Sequence, residues 1–218
     1  MGSSAELSWQ PSLFATDAVD LDAAFTRLER IDLDETAWLD YVPGWVSGAD
    51  LLFEQIVEAR NWGRRSRKMY DKTVIEPRLT TSWNARSGTP LEPEVLERIR
   101  IALSERYERT FDSVGFNLYR DGRDSVAWHR DRIPKQVESP IVALVSVGEP
   151  RKFLMRPYGG GKSRAFMLGH GDLLVTGGQS QRKWEHSVPK VKEAGPRISL
   201  AYRHDVRWKA YESDDEES

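Results

Sequence analysis

Two of the four histidines in this 218-residue chain stand where a metal could use them. His129-Arg130-Asp131 places an imidazole and a carboxylate two positions apart. On an extended strand, residues i and i+2 share a face, so both can reach one ion. His186, in Trp184-Glu185-His186-Ser187, lies 55 residues beyond Asp131, far enough for a returning strand to add a second imidazole. Two histidines and one carboxylate on one face of an octahedron leave three positions open, as an oxygen-activating iron requires. With no cysteine in the chain, disulfides and thiolate ligation are excluded. His170 lies in Gly169-His170-Gly171-Asp172, a turn before a strand, and His204 at a strand end; both read as structural. His-x-Asp is common by chance, so its neighbours carry the weight.

Beyond His186 comes Arg197-Ile198-Ser199-Leu200-Ala201-Tyr202-Arg203. Strand alternation puts Arg197, Ser199, Ala201 and Arg203 on one face and Ile198, Leu200 and Tyr202 on the other. Inward arginines are costly unless they meet anions, and a guanidinium grips a carboxylate with two parallel hydrogen bonds. Asn117 and Tyr119 share a face in Gly115-Phe116-Asn117-Leu118-Tyr119 and can donate to carboxylate oxygens. The pattern suits a dicarboxylate bound beside the metal; an exposed strand face with surface arginines is the plainer alternative.

Helical patterns occupy the first half. Residues 21–31 read as a helix in an acidic segment, 1–41. The stretch 42–45 reads as a turn. A helix after Ser47-Gly48 carries Leu51, Leu52, Phe53, Ile56 and Val57, and residues 92–109 form another with Val95, Leu96, Ile99 and Leu103 buried. Past residue 112, short β-like runs at 114–119, 141–147, 152–156, 172–176 and 197–202 are separated by turns such as Asp121-Gly122 and Gly177-Gly178. The expected architecture is mainly β with flanking helices, an antiparallel sandwich supported by the N-terminal helices. No apolar run approaches the roughly 18 residues of a membrane span, and the acidic stretch 210–218 reads as a disordered tail. The absence of cysteine fits a reducing, intracellular compartment. The net charge of −2 conceals an asymmetry: residues 60–210 hold 30 basic and 17 acidic side chains, and the remainder 2 and 17. A basic body is one footprint of a nucleic-acid partner, although a mixed, solvated surface gives the same count.

With these residues in view, the chain resembles the AlkB family of Fe(II)/2-oxoglutarate dioxygenases from about residue 42 to 204. The resemblance rests on Asn117-Leu118-Tyr119, His129-Arg130-Asp131, Gly171-Asp172-Leu173-Leu174-Val175, Gly177-Gly178, Trp184-Glu185-His186, the Arg197 and Arg203 pair, and Pro77-Arg78-Leu79-Thr80. It implies a double-stranded β-helix, or jelly roll. It implies iron on His129, Asp131 and His186, with Arg197 and Tyr119 on the distal carboxylate of 2-oxoglutarate. Asn117 and Arg203 would lie near the carboxylate that chelates iron, and Ser199 is a further co-substrate contact. It implies a domain at 42–209 with a nucleotide-recognition lid at about 60–86, an N-terminal extension at 1–41 and a tail at 210–218.

The implied activity consumes O2 and removes N-methyl groups from nucleobases in DNA or RNA, releasing formaldehyde, succinate and CO2. The expected enzyme acts as a monomer, without a membrane. Expected substrate contacts are Tyr70, Arg78, Trp83, Trp128 and Arg132; Trp62 is a further stacking candidate, core packing being the commoner role for such aromatics. The chain departs from the family in two ways. Repair members often carry an acid soon after His-x-Asp, where this chain reads Arg132-Ile133-Pro134, and Ser199 and Ala201 replace larger polar residues. These departures leave room for a protein or small-molecule substrate. A nucleic-acid-binding module without turnover is the remaining alternative.

Overall fold

The computed structural model describes residues 7, 18–69, 72–131 and 133–204, and of 65–69 and 72–75 the backbone alone. Residues 1–6, 8–17, 70, 71, 132 and 205–218 lie outside the described residues, so the expectations for Tyr70, Arg132 and the acidic tail do too. The chain runs β1 (Asp20–Leu21), β2 (Glu29–Asp32), β3 (Ala37–Val42), β4 (Val46–Ser47), α1 (Ala49–Ala59), β5 (Gly63–Met69), β6 (Lys72–Asn84) and α2 (Val95–Tyr107). It continues through β7 (Phe111–Tyr119), β8 (Val126–His129), β9 (Val142–Gly148), β10 (Arg151–Pro157), β11 (Arg164–Leu168), β12 (Asp172–Gly178), α3 (Ser180–Lys183), β13 (Trp184–Val188) and β14 (Arg197–His204).

From β7 onward the chain alternates between two antiparallel sheets. The major sheet runs β2-β3-β12-β9-β14-β7-β6-β5 and the minor sheet β11-β10-β13-β8. Strands β7, β9, β12 and β14 face β8, β10, β11 and β13, which is the jelly roll expected. All five expected strand runs form, with shifted ends.

Two cores follow from the alternation along the major-sheet strands. Val114, Phe116, Leu118, Ile198, Leu200 and Tyr202 face the helices, meeting Leu52, Phe53 and Ile56 of α1 and Leu96, Ile99 and Leu103 of α2. Tyr119, Val142, Leu144 and Ala201 face the other way and meet Phe153, Met155 and Val188 of the minor sheet. Strand β9 is buried along its whole length because both its faces are covered. The Tyr202 hydroxyl donates to the Leu96 carbonyl (3.2 Å), tying α2 to β14.

Two segments differ from expectation, and a third, the expected lid, takes the form of a hairpin. Residues 21–31 form no helix. Asp22 Oδ2 accepts from both the backbone N–H and the hydroxyl of Thr26 (2.7 Å each), and Phe25 adopts a left-handed φ of 52°. Such local side-chain bonds compete with a helical turn. The described part of the expected N-terminal extension is not separate, because β3 pairs with β12 along six residues and β2 with β3. The stretch at 60–86, expected as a lid, contains the β5–β6 hairpin, and β6 pairs with β7, so the major sheet extends through it. Among the described residues no helix is long and apolar enough to cross a membrane.

The Gly177-Gly178 pair shows how tightly β12 packs. A Cβ on Gly177 would stand 2.1 Å from the Trp38 ring, and Gly178 has φ 61° with the Thr36 carbonyl in the same position (2.3 Å). Trp38 is backbone-paired to Gly177, so it cannot retreat freely. Gly177→Ala should lower stability by about 1–3 kcal/mol through overpacking, read as a lower urea midpoint with an unchanged slope.

Candidate metal centre and anion pocket

The register of the minor sheet brings together the three candidate metal ligands. Strand β13 pairs with β8 so that His186 lies directly opposite His129, with the ring centroids 4.3 Å apart. Asp131 follows two residues after His129, just past the strand end. Its Oδ1 lies 3.8 Å from Nε2 of His129 and 3.9 Å from Nε2 of His186. One ligand atom from each of the three lies within 4.8 Å of the others. An ion bonded at about 2 Å to each ligand fits such spacings.

The surroundings prepare each ligand. His129 Nδ1 lies 2.9 Å from the Ala127 carbonyl, which can only accept, so the proton sits on Nδ1 and Nε2 offers a lone pair. Burial holds His186 neutral by pulling its pKa down to about 3, against the attraction of Asp131. Phe153 stacks on His186 at 5.2 Å between centroids. Burial alone would raise the Asp131 carboxyl, but the Arg203 guanidinium and then the two imidazoles outweigh it and bring its pKa to about 2. Arg203 Nε donates to Asp131 Oδ2 (2.9 Å) and Nη2 reaches the same oxygen at 2.9 Å, leaving Oδ1 toward the imidazoles. The site thus combines two imidazoles and one carboxylate, the donor set suited to a non-haem Fe(II) with open positions.

The inward face of β14 carries the second half of the site. Arg197 is 1% exposed, pairs in register with Tyr119, and donates from Nε to Ser146 Oγ (2.9 Å). Its Nη1 is buried without a hydrogen-bond partner. Burial and the nearby Arg151 guanidinium lower its pKa, while the Tyr119 phenol opposes them. Arginine nonetheless stays protonated, so among the described residues this buried cation has no carboxylate against it. A carboxylate ligand would supply the missing partner. Ser199 and Asn117 lie opposite each other in the same register.

The expected substrate residues do not all gather here. Arg78 lies beside the pocket, donating to Asn117 Oδ1 (2.9 Å) and pairing with Glu76 (3.0 Å). Trp83 does not face the site. It stands opposite Val114 on the helix side, 8% exposed, with Nε1 donating to the Thr89 carbonyl (2.8 Å). Trp128 precedes His129 on β8 and so projects to the outer face, where the Arg156 guanidinium covers it at 4.1 Å. Trp62 packs at the edge of the helix-side core, donating to the Val57 carbonyl (3.3 Å). His170 and His204 are structural as expected: His170 accepts from Gly148 N–H (2.7 Å) and pairs with Asp50 (3.3 Å), while His204 accepts from Ile141 N–H (2.9 Å).

Sequence reasoning missed Arg151. It opens β10, on the inward face shared by Phe153 and Met155, and is 2% exposed. Its amino groups donate to the carbonyls of Asp121 (3.2 Å), Asp124 (2.9 Å) and Pro189 (2.7 Å), while Nε has no partner. The guanidinium carbons of Arg151 and Arg197 lie 5.6 and 5.3 Å from the Tyr119 ring centroid, one from each sheet. The available signal was a cation two residues before Phe153 on the inward alternation of that strand.

Residues 54–203 match the family model of the 2OG-Fe(II) oxygenase superfamily. The human protein named alpha-ketoglutarate-dependent dioxygenase alkB homolog 3 is 34% identical over 183 residues, covering 74% of this chain and 64% of that protein. The chain thus aligns with less than two-thirds of that relative's length. Human DNA oxidative demethylase ALKBH2 is 35% identical over 130 residues, 54% of this chain and 50% of its own. These likenesses agree with the AlkB resemblance. The solved structure of OsALKBH1 superposes with a TM-score of 0.57 at 17% identity, over 81% of this chain and all of that one. A 2OG-Fe(II) oxygenase family oxidoreductase from Burkholderia pseudomallei superposes at 0.52 and 14% identity, over 76% of this chain and 84% of its own; both show a shared fold.

Two outcomes follow from this geometry. Arg203→Met leaves the three ligands in place but frees Asp131 to rotate, so affinity for Mn(II) or Co(II) in a metal titration should fall about 10- to 100-fold. The depressed pKa of His186 means that the unfolded chain binds a proton there which the native, metal-free protein refuses between about pH 6.5 and 3. Stability of the metal-free protein should therefore decrease as pH falls below about 6.5, and His186→Leu should remove that component of the urea-midpoint profile.

Proposed function

This chain belongs to the 2OG-Fe(II) oxygenase superfamily, and on that premise we propose that it is an oxidative demethylase of N-methylated nucleobases in DNA or RNA, working as an intracellular monomer. The observation that carries the nucleic-acid assignment is the 35% identity to a protein named DNA oxidative demethylase. The excess of basic residues between 60 and 210 agrees with a polyanionic substrate.

The chain's own residues divide the work. His129, Asp131 and His186 would hold Fe(II). Arg197 and Tyr119 would receive the distal carboxylate of 2-oxoglutarate, with Arg151 closing the pocket from the minor sheet. Asn117 and Ser199, opposite each other on neighbouring strands, would lie between that carboxylate and the metal. Arg203 serves first as the partner of Asp131. When bound, iron and 2-oxoglutarate activate O2 and supply the oxidation that releases the methyl carbon as formaldehyde, with succinate and CO2 as co-products. A base in a duplex must be flipped out to reach the metal, at a cost of a few kcal/mol that is smaller for damaged or single-stranded substrates.

The test supplies Fe(II), 2-oxoglutarate and O2 with an N-methylated oligonucleotide and measures succinate and formaldehyde together. Both should appear in equal amounts and vanish in His129→Ala. Succinate without formaldehyde would instead assign the site to a protein or small-molecule substrate. In calorimetry, Arg197→Met should weaken 2-oxoglutarate binding about 10- to 100-fold, the loss of a charged hydrogen-bonded pair. Arg151→Met should reduce the preference for 2-oxoglutarate over a 2-oxo acid lacking the distal carboxylate. If that preference is unchanged, Arg151 only clamps the carbonyls around it.

A further inference from the structure

Tyr158 is one of three large hydrophobic side chains exposed among the described residues, at 60%. Unlike a loose surface residue, it is held. Its backbone N–H donates to the Lys183 carbonyl (2.8 Å), and the Arg130 guanidinium lies 3.7 Å from its ring centroid. Arg130 Nη1 donates to the Arg182 carbonyl (2.9 Å). Arg182 in turn donates to the carbonyls of Ile133 (3.2 Å), Pro134 (2.7 Å) and Val137 (2.9 Å). Four segments are thereby locked together: the residue between two candidate ligands, the loop at 133–137, the turn after β10, and α3.

This assembly adjoins the three ligands along the chain and the sheet, on the outer side of the strand that carries His129. Arg130 separates His129 from Asp131 in the chain, and Pro157, beside Tyr158, pairs with Trp184, two residues before His186. The following residues, Gly159, Gly160 and Gly161, all have positive φ (87°, 119° and 115°), which requires glycine, and around the first two there is open space. No side chain from this turn shields the ring. One face of the tyrosine is therefore backed by a fixed cation while the ring remains open to solvent.

An aromatic ring with an arginine behind it offers a base a stacking surface and a phosphate a positive charge. The geometry points to Tyr158, backed by Arg130, as the stacking platform for the nucleotide next to the one whose base enters the metal centre. The substrate class is then a polynucleotide strand rather than a free nucleoside, an inference that rests on the demethylase reading above. The mode is tolerant of sequence, because every base presents a π-face.

The experiment compares wild type, Tyr158→Phe and Tyr158→Ser on a short N-methylated single strand and on the same base as a free nucleoside. The ratio of kcat/KM for strand over nucleoside should fall about 5- to 100-fold in Tyr158→Ser and recover in Tyr158→Phe. A ratio that does not move, or that Tyr158→Phe fails to restore, overturns the platform. A second readout needs no turnover: 2-aminopurine placed beside the methylated base should be quenched on binding to wild type and Tyr158→Phe, and not to Tyr158→Ser. Equal quenching in all three also overturns it. Quenching that depends on the ring in a wild type yielding no formaldehyde would keep the platform and reject the demethylase reading.

Discussion

A carboxylate enclosed between two sheets is tolerable only if something positive meets it, and here that is Arg203 against Asp131. The pair spans the sandwich, since Asp131 leaves the minor sheet at the end of β8 and Arg203 belongs to β14 in the major sheet. Buried ion pairs contribute little net stability compared with apolar packing, and breaking one is costly. The pair's value is therefore directional. By occupying Oδ2 it commits Oδ1 to the imidazoles, and the metal centre inherits its orientation from a strand that supplies no ligand. The same strand carries Arg197 six residues earlier, so one rigid element sets both the ligand geometry at one end and the anion pocket at the other.

Much of this was legible because the residue types admit few other uses. His-x-Asp with a distant His reads as a metal site once the strands are placed, and the cross-strand pairing of His129 with His186 is what an antiparallel return predicts. The split of β14 into Arg197, Ser199 and Arg203 on one face and Ile198, Leu200 and Tyr202 on the other holds because each face is covered by a different layer. Where burial is two-sided, alternation carries chemistry rather than mere exposure.

Elsewhere the pattern was ambiguous for identifiable reasons. Leu21, Phe25 and Leu28 recur at helical spacing, yet they pack from a turn capped by Asp22. Spacing alone does not distinguish the two. Trp83 looked like a base platform by type, but its parity on β6 sends it to the helix side. Arg151 was hidden in a run of strand residues because parity cannot be assigned before the register is known. The basic count of residues 60–210 also changes meaning, since Arg151 and Arg197 are interior and contribute nothing to a surface footprint. The surface share of that charge lies in groups such as Arg130, outside the sandwich.

Arg151 and Arg197 approach Tyr119 from opposite sheets, and each retains a buried nitrogen without a partner. The carbonyls of Asp121, Asp124 and Pro189 disperse part of the charge of Arg151, while Arg197 has the Ser146 hydroxyl, the Tyr119 phenol and the Arg151 guanidinium nearby. A fold that encloses two guanidinium groups this way carries an electrostatic cost, which a dicarboxylate bound between them, as proposed, would offset. Ligand affinity and folded-state stability are then two views of one free energy, as any ligand that binds only the native state requires. Asp131 and Arg203 solve the opposite problem within the chain, carboxylate to guanidinium. The candidate metal end of the site is therefore charge-balanced by the protein, and on the proposed function the distal end would be balanced by what it binds.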